Sequence, residues 1–293
     1  MGLTDTAAFE RTARARLHLT YAWRHRRLLD LAAPIRFTEL VQHSKLHDRD
    51  LRMAVMADKV AVKGIVADRL GPEWVVPLLW TGAALPDRPE WDQRVILKAR
   101  HGCNQNRVVS GGSDAWHAAA RASRRWMRGA YGAWLDEWLY AQIPRGLLIE
   151  PFIGVGRQLP VDYKIYVFGG AATHVQVHLD RGKKHRWFVH DTDWNAVAGG
   201  PPAVPRPSAL TAMLAAAETL ARGFDFVRVD FYQPASQPLF GEMTFYPGSG
   251  LDPFDPVGLD IEMGRLWHRA KLGGQGRPDE ERSAGYADTR HAA

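Results

Sequence analysis

The sequence predicts an α+β fold, with a helical N-terminal region ahead of a second half built on an antiparallel sheet. Three observations predict it. Residues 7–30 are arginine-rich and helix-compatible, with Leu17, Tyr21, Leu28 and Leu31 as an intermittent apolar stripe. From Gly146 onward the texture changes to a succession of short β-type runs. A single Ala/Leu helix, residues 209–222, interrupts those runs and stops at Gly223.

Along the chain, residues 47–70 read as a second helix, with acids near its start and Gly71-Pro72 at its end. Residues 75–79 and 94–98 are short strands separated by a loop containing Pro and Gly. Residues 114–141 read as one long helix carrying Trp116, Trp126, Trp134 and Trp138, indoles expected to pack between lobes rather than to stack on bases. Strands follow at 147–152, 163–168, 173–179 and 187–190, then at 226–232, and from 240 into a turn at 246–250. The segment 273–293 is polar and Gly-rich without periodicity and is expected to be disordered. The expected organisation is a helical region over 1–72, a first lobe over 73–150, a second over 151–272 and the tail.

A chain of 293 residues, 46% of them hydrophobic, can bury a substantial core and is neither disordered nor fibrous. A formal charge of +6 points to phosphorylated ligands, acidic polymers, anionic lipid or nucleic acid, without choosing among them. The single cysteine, Cys103, excludes an intrachain disulfide and a Cys-based zinc site. The first residues carry acids and arginines through the place of an apolar signal core, and no run approaches a membrane span, so the expected location is cytoplasmic.

The chemistry concentrates near the end. Alternation in Phe226–Tyr232 sends Arg228, Asp230 and Tyr232 one way and Val227, Val229 and Phe231 the other; the next run sets Glu242, Thr244 and Tyr246 opposite Met243 and Phe245. Two carboxylates and an arginine therefore converge on one face. Unpaired charge on a half-buried sheet is costly, so the cluster is either a satisfied ion pair or a metal–phosphate site. The turn Tyr246-Pro247-Gly248-Ser249-Gly250 favours the second, because it can bring backbone N–H groups to an anion beside the carboxylates.

Earlier, a strand delivers Lys98 into a small polar loop containing His101, Gly102 and Cys103. A compact cation at a strand end suits a phosphate, although the pattern is not a Walker A motif. Asp58-Lys59 supplies a second cation. Glu150, Pro151 and Phe152 close an apolar strand where proline interrupts the ladder, as at a hinge between lobes whose backbone groups can pair with a planar base. His174 and His178 lie too far apart on one strand for an easy shared metal, and no base partners Cys103 as a nucleophile.

In this order, Asp58-Lys59, Leu97-Lys98, His101-Gly102, Glu150, Asp162-Tyr163-Lys164, Asp180-Arg181, Arg228-Val229-Asp230-Phe231-Tyr232 and Gly241-Glu242-Met243-Thr244-Phe245-Tyr246-Pro247 resemble the TupA-like ATP-grasp family, associated with teichuronopeptide and other polysaccharide biosynthesis. The resemblance covers roughly residues 34–265. It implies an ATP-grasp fold holding a nucleotide between two α+β lobes. Lys59 and Lys98, with His101 and Gly102, would face the ATP phosphates, and Glu150, Pro151 and Phe152 the adenine. Asp162 and Lys164 would line the cleft. Asp230, Glu242 and Thr244 would hold Mg2+, Arg228 would stabilise the developing charge, and Arg181 would hold a phosphate or acid. Thr244 stands where the wider superfamily carries an amide, and Gly102-Cys103-Asn104 where a Gly-Ser-Gly type run is usual.

The resemblance implies a carboxylate–amine ligase using ATP and Mg2+ through an acyl phosphate. Its expected substrates are an acidic glycan or amino-acid carboxylate and an amine. Separately, the basic N-terminal region is expected to receive an acidic polymer or to make a peripheral contact at the inner membrane surface, and with no nucleic-acid motif present no nucleic acid is expected. A kinase using the same site, and a non-enzymatic module binding acidic polymer or nucleic acid, are the alternatives.

Overall fold

The computed structural model describes residues 3–129, 131–154, 156, 158–179, 186–200 and 204–274. Four helices lead: α1 (Leu3–His25), α2 (Phe37–His47), α3 (Leu51–Ala57) and α4 (Ala61–Leu70). Next come β1 (Trp80–Gly82), β2 (Val95–Ala99), β3 (Asn106–Val109), α5 (Ser113–Trp126) and β4 (Leu147–Pro151). The remainder is β5 (Asp162–Phe168), β6 (Ala171–Leu179), β7 (Arg186–Asp191), β8 (Ala196–Ala198), α6 (Leu210–Ala221), β9 (Phe226–Tyr232), β10 (Leu239–Thr244) and α7 (Val257–Gly274).

The strands form two antiparallel sheets, in the orders β1-β4-β2-β3 and β10-β9-β5-β6-β7-β8. Helices flanking antiparallel sheets make the fold α+β, as expected. The larger core belongs to the six-stranded sheet, where Ile165, Val229 and Phe231 are joined by Leu40 of α2, Met53 of α3 and Val62 and Val66 of α4. Each such side chain contributes about 1.5–3 kcal/mol on full burial. Phe37 ties α2 to α7 and the sheet, edge-on to Phe168 and Phe226 and tilted against Trp267. A smaller core under the four-stranded sheet contains Val95, Leu97, Trp116, Leu147 and Ile149.

Several boundaries differ from the sequence reading. The helix expected over 47–70 is two helices, because the chain turns at Asp58, the C-cap of the first: its Oδ1 accepts from the N–H groups of Val60 at 2.9 Å and Ala61 at 3.3 Å. The helix expected over 114–141 stops at Trp126 and gives way to short 3-10 turns at Ala133–Leu135 and Trp138–Gln142. Gly132 has φ +71°, and a Cβ there would sit 2.8 Å from that of Glu137, so no helix passes through. The first helix ends at His25, and the strand expected over 75–79 forms only at Trp80–Gly82, Val75 making a lone bridge to Phe240. The sequence reading left α2, α7, β3 and β8 unassigned. Of the four tryptophans, Trp116 is buried in the smaller core whereas Trp134 is 64% exposed. The expected tail lies almost wholly outside the described residues.

Candidate functional site

The charged face of β9 and β10 forms as period-two alternation requires. Arg228 lies opposite Thr244 and Asp230 opposite Glu242, after a register shift at Gly241. That shift matters, since a Cβ on Gly241 would sit 3.0 Å from the Asp230 carbonyl oxygen. On the other side of β9, Lys164 of β5 lies opposite Asp230 and Tyr166 opposite Arg228. Glu242, Asp230 and Lys164 thus form one row across three strands.

Within that row Asp230 is saturated. Arg228 donates to it twice, Nε to Oδ1 and Nη2 to Oδ2, both at 2.7 Å, and the Lys164 ammonium also reaches Oδ2. Lys164 pairs in addition with Asp162 at 2.6 Å, and Arg228 donates to the Thr244 hydroxyl at 3.2 Å. Burial, the largest influence, raises the Asp230 carboxyl against the pull of Arg228 and Lys164. The two-point guanidinium contact nonetheless uses lone pairs on both oxygens and therefore needs the carboxylate. Glu242 differs: its side chain is 26% exposed, and its nearest Arg228 distance is 3.7 Å, beyond hydrogen bonding. Burial works against its charge, but Lys59, then Lys164 and Arg228, overcome it and hold the carboxyl down at about 2.

A second ion cluster forms between β2, β4 and α4. Glu150 lies opposite Ile96, and Lys98, two residues on, reaches it diagonally. Lys98 meets one Glu150 oxygen at 2.6 Å and Lys63 the other, also at 2.6 Å. Burial opposes the charge on Glu150 and the two lysines outweigh it, so its carboxyl is held below the usual range. Lys63 escaped the sequence reading; its position four residues after Lys59 was the available signal.

Lys59 links the two sheets. Its ammonium meets Glu242 of the six-stranded sheet at 3.2 Å and donates to the Gly102 carbonyl, in the loop leaving the four-stranded sheet, at 2.9 Å. The break between α3 and α4 puts it there, and Asp58 fixes that break by accepting from the Arg100 guanidinium at 2.6 to 2.9 Å. One lysine therefore ties a carboxylate of the six-stranded sheet to the backbone of the loop leaving the four-stranded sheet. The turn after β10 is also fixed: Gly248, Ser249 and Gly250 have φ of +54°, +57° and +65°. Its Ser249 and Leu251 N–H groups bond back within the turn at 2.9 Å. Buried Lys45 grips it from α2, donating to the Ser249 carbonyl at 2.7 Å, and burial pushes this lysine down to about 8.

Other expected positions fall differently. His101 is buried and turned inward; its Nδ1 accepts from the Gly146 N–H at 3.4 Å and its Nε2 lies 3.3 Å from the Trp126 carbonyl, a loop brace rather than a phosphate contact. The ladder runs one bond past Pro151, the Phe152 N–H donating to the Arg94 carbonyl at 3.1 Å, so that N–H is already engaged and is not offered to a base. Cys103 packs with its sulfur 2.9 Å from the Tyr140 hydroxyl, and burial, reinforced by Glu242, pushes the thiol up to about 11, far from a thiolate. Arg181 lies outside the described residues.

Among the described residues no three carboxylate, imidazole or thiol groups are arranged to hold a metal ion. The donor set fits Mg2+ in part: Glu242 is ionised and accessible, while Asp230 gives both oxygens to cations and Thr244 accepts from Arg228. A magnesium ion bound through one or two carboxylates, with waters and substrate phosphates completing its shell, is compatible with that set.

The family model described as TupA-like ATPgrasp matches residues 39–268. No curated protein matches the chain. Solved structures similar to it include D-alanine–D-alanine ligase from Bacillus anthracis, 13% identical over 75% of this chain and 68% of that one, with a TM-score of 0.43. The same enzyme from Helicobacter pylori is 14% identical, over 80% and 66% of the two chains, with a TM-score of 0.45. D-cycloserine synthetase DcsG is 18% identical, over 76% and 71%, with a TM-score of 0.39.

Proposed function

Because the chain belongs to the TupA-like ATP-grasp family, we propose that it is an ATP-dependent ligase joining a carboxylate to an amine. The observation that carries the reading is the Lys59 junction, where one cation bridges Glu242 of the six-stranded sheet and the Gly102 carbonyl of the loop leaving the four-stranded sheet. Five cations, Lys59, Lys63, Lys98, Lys164 and Arg228, face four carboxylates, Glu150, Asp162, Asp230 and Glu242. Such a cluster is near neutral by itself and can change partners when a polyphosphate arrives: Lys59 and Lys98 turn to phosphate oxygens, and Glu242 is released.

In this reading the lobes 73–150 and 151–272 hold the nucleotide between them. Bound Mg2+, held by Glu242 with Asp230 and Thr244 close by, would screen phosphate charge. Lys59 and Lys98 orient the phosphates, Lys63 keeps Glu150 ionised when Lys98 leaves it, and Lys164 with Asp162 borders the acceptor side. Arg228, held rigidly by Asp230, stabilises charge that develops on the transferred phosphoryl group. The acceptor is a carboxylate, whose oxygen takes the terminal phosphoryl group of ATP to give an acyl phosphate and ADP; an amine then attacks the acyl carbon, inorganic phosphate leaves and the nitrogen loses a proton to give the amide. We place the enzyme in the cytoplasm and its acceptor among acidic glycans or amino-acid carboxylates of cell-surface polymer synthesis.

Trapping tests the chemistry directly. With ATP, Mg2+ and a competent acid, drawn first from uronic-acid oligomers and glutamyl compounds, hydroxylamine is expected to yield a hydroxamate, because it intercepts an activated acyl group without the native amine. ADP formed together with a stable phosphorylated acceptor and no hydroxamate would identify a kinase. Absence of nucleotide binding would leave only a binding module.

The lysine assignment has its own test. Lys98→Ala is expected to weaken ATP by about 1.5–3 kcal/mol, roughly ten- to a hundredfold, while leaving adenosine almost unchanged. Lys63 still neutralises Glu150 in that variant, so the fold survives. Equal weakening of both ligands in calorimetric titration would assign Lys98 to packing instead.

A further inference from the structure

Helix α1 is apolar on two faces. Its inner face buries Ala13, Leu17 and Tyr21 and is pinned by the Tyr21 hydroxyl at 2.9 Å from that of Thr38, and by an Arg16–Asp136 ion pair. Its outer face exposes Ala15, Leu19 and Trp23 at four-residue spacing, Leu19 being 72% and Trp23 67% exposed. The connection to α2 adds Leu28 and Ile35, at 85% and 57%. Four of the ten exposed large hydrophobic side chains among the described residues thus fall in this one short segment. The inner face is already committed to the protein core, so packing among the described residues does not account for the outer one.

Charge says what would cover it. Residues 11–36 contain seven arginines and one acid, Asp30. Arg16 and Arg27 are used internally, on Asp136 and Glu39, and Arg24 lies over the Trp23 ring at 5.6 Å with Asp252 3.4 Å away. Arg11, four residues before Ala15, and Arg26, just past the end of the helix, are exposed. A second copy seated on this face would bring arginine-rich surfaces together, the seven arginines of residues 3–36 standing against three acids, Asp5, Glu10 and Asp30. An anionic bilayer satisfies both features at once, apolar side chains entering the headgroup–acyl boundary and guanidinium groups meeting anionic headgroups. No described helix is long and apolar enough to cross a membrane, so such contact is peripheral.

We propose that the outer face of α1, with Leu28 and Ile35, docks the protein on an anionic lipid surface. The same helix is bonded to the turn after β10, Arg24 donating to the Leu251 carbonyl at 3.1 Å and His25 lying 3.0 Å from the Gly250 carbonyl. The docking face is therefore held in a fixed relation to the candidate site. The inference stands on these surface residues and does not depend on the ligase reading.

Co-sedimentation of the full chain with vesicles tests it without any turnover assay. Vesicles of phosphatidylcholine with phosphatidylglycerol are expected to bind the protein at least about tenfold more tightly than phosphatidylcholine alone, with the difference shrinking in high salt. The double substitution Leu19→Ser with Trp23→Ser is expected to lower that binding about tenfold at an unchanged unfolding midpoint, since both side chains lie in solvent. Arg11→Glu with Arg26→Glu is expected to remove the preference for anionic lipid. Failure to bind either vesicle, equal binding to both, or parental binding by the Leu19/Trp23 variant would overturn the proposal. So would a dimer in sedimentation velocity that the same substitutions dissolve, which would assign the face to a second copy.

Discussion

Glu242→Gln is expected to lower ATP-dependent turnover by about a thousandfold or more while the chain stays folded. Glu242 is the carboxylate of the β5–β9–β10 row that solvent reaches, at 26% side-chain exposure against 1% for Asp230. It is also the only member of that row paired with Lys59, so its loss removes the side chain that holds this lysine to the six-stranded sheet. Its protonation gives an independent readout. The folded carboxyl titrates at about 2 against an ordinary 4.5. Because the folded value is depressed, the associated stability is fully present above about pH 4.5 and is lost as pH falls toward 2. Allowing for partial solvent screening, that stability is on the order of 2 kcal/mol. Denaturant unfolding from pH 2 to pH 6 should therefore show a steeper acid loss in the parent than in the glutamine variant. Full activity in the variant would remove Glu242 from the chemistry, and an unaltered pH profile would show that Lys59 does not hold its charge.

Much of the sheet was legible because it alternates. The bounds of β9 match the reading residue for residue, since apolar and polar side chains alternate from Val227 to Tyr232. The shared face of Arg228, Asp230 and Glu242 was legible for the same reason. Helix α7 was not, although Leu259, Met263 and Trp267 recur every four residues and are all buried. Gly258, Gly264 and Gly273 mask that pattern, and Gly264 is there because a Cβ would lie 2.2 Å from the Ile35 carbonyl oxygen of the chain leading into α2. Tertiary demands of this kind leave no local signature. The Lys59–Glu242 junction is equally invisible, because it depends on how the α3–α4 break is seated between two sheets. Residue types alone also could not choose between ion pair and metal ligand; the geometry divides the answer, with Asp230 locked among cations and Glu242 accessible.

That division predicts opposite phenotypes for two neighbouring carboxylates. Asp230→Asn is expected to destabilise the fold by about 3–5 kcal/mol, because it leaves Arg228 buried without its two-point partner and leaves Lys164 with Asp162 alone. The amide can accept through one oxygen only, and its NH2 group would face the guanidinium. Removing both charges should be milder than removing one. Arg228→Met combined with Asp230→Leu takes away the unpaired cation while Lys164 and Asp162 still neutralise each other, so the double variant is expected to recover about 2 kcal/mol or more relative to the sum of the single changes. Urea midpoints at neutral pH of Asp230→Asn, of Arg228→Met and Asp230→Leu singly, and of the double variant measure these effects. A stable Asp230→Asn protein that binds nucleotide but no longer responds to Mg2+ would instead make Asp230 a metal ligand in its own right. An additive cycle would mean that the buried pair contributes little, and that Arg228 is held in position by Thr244 and packing.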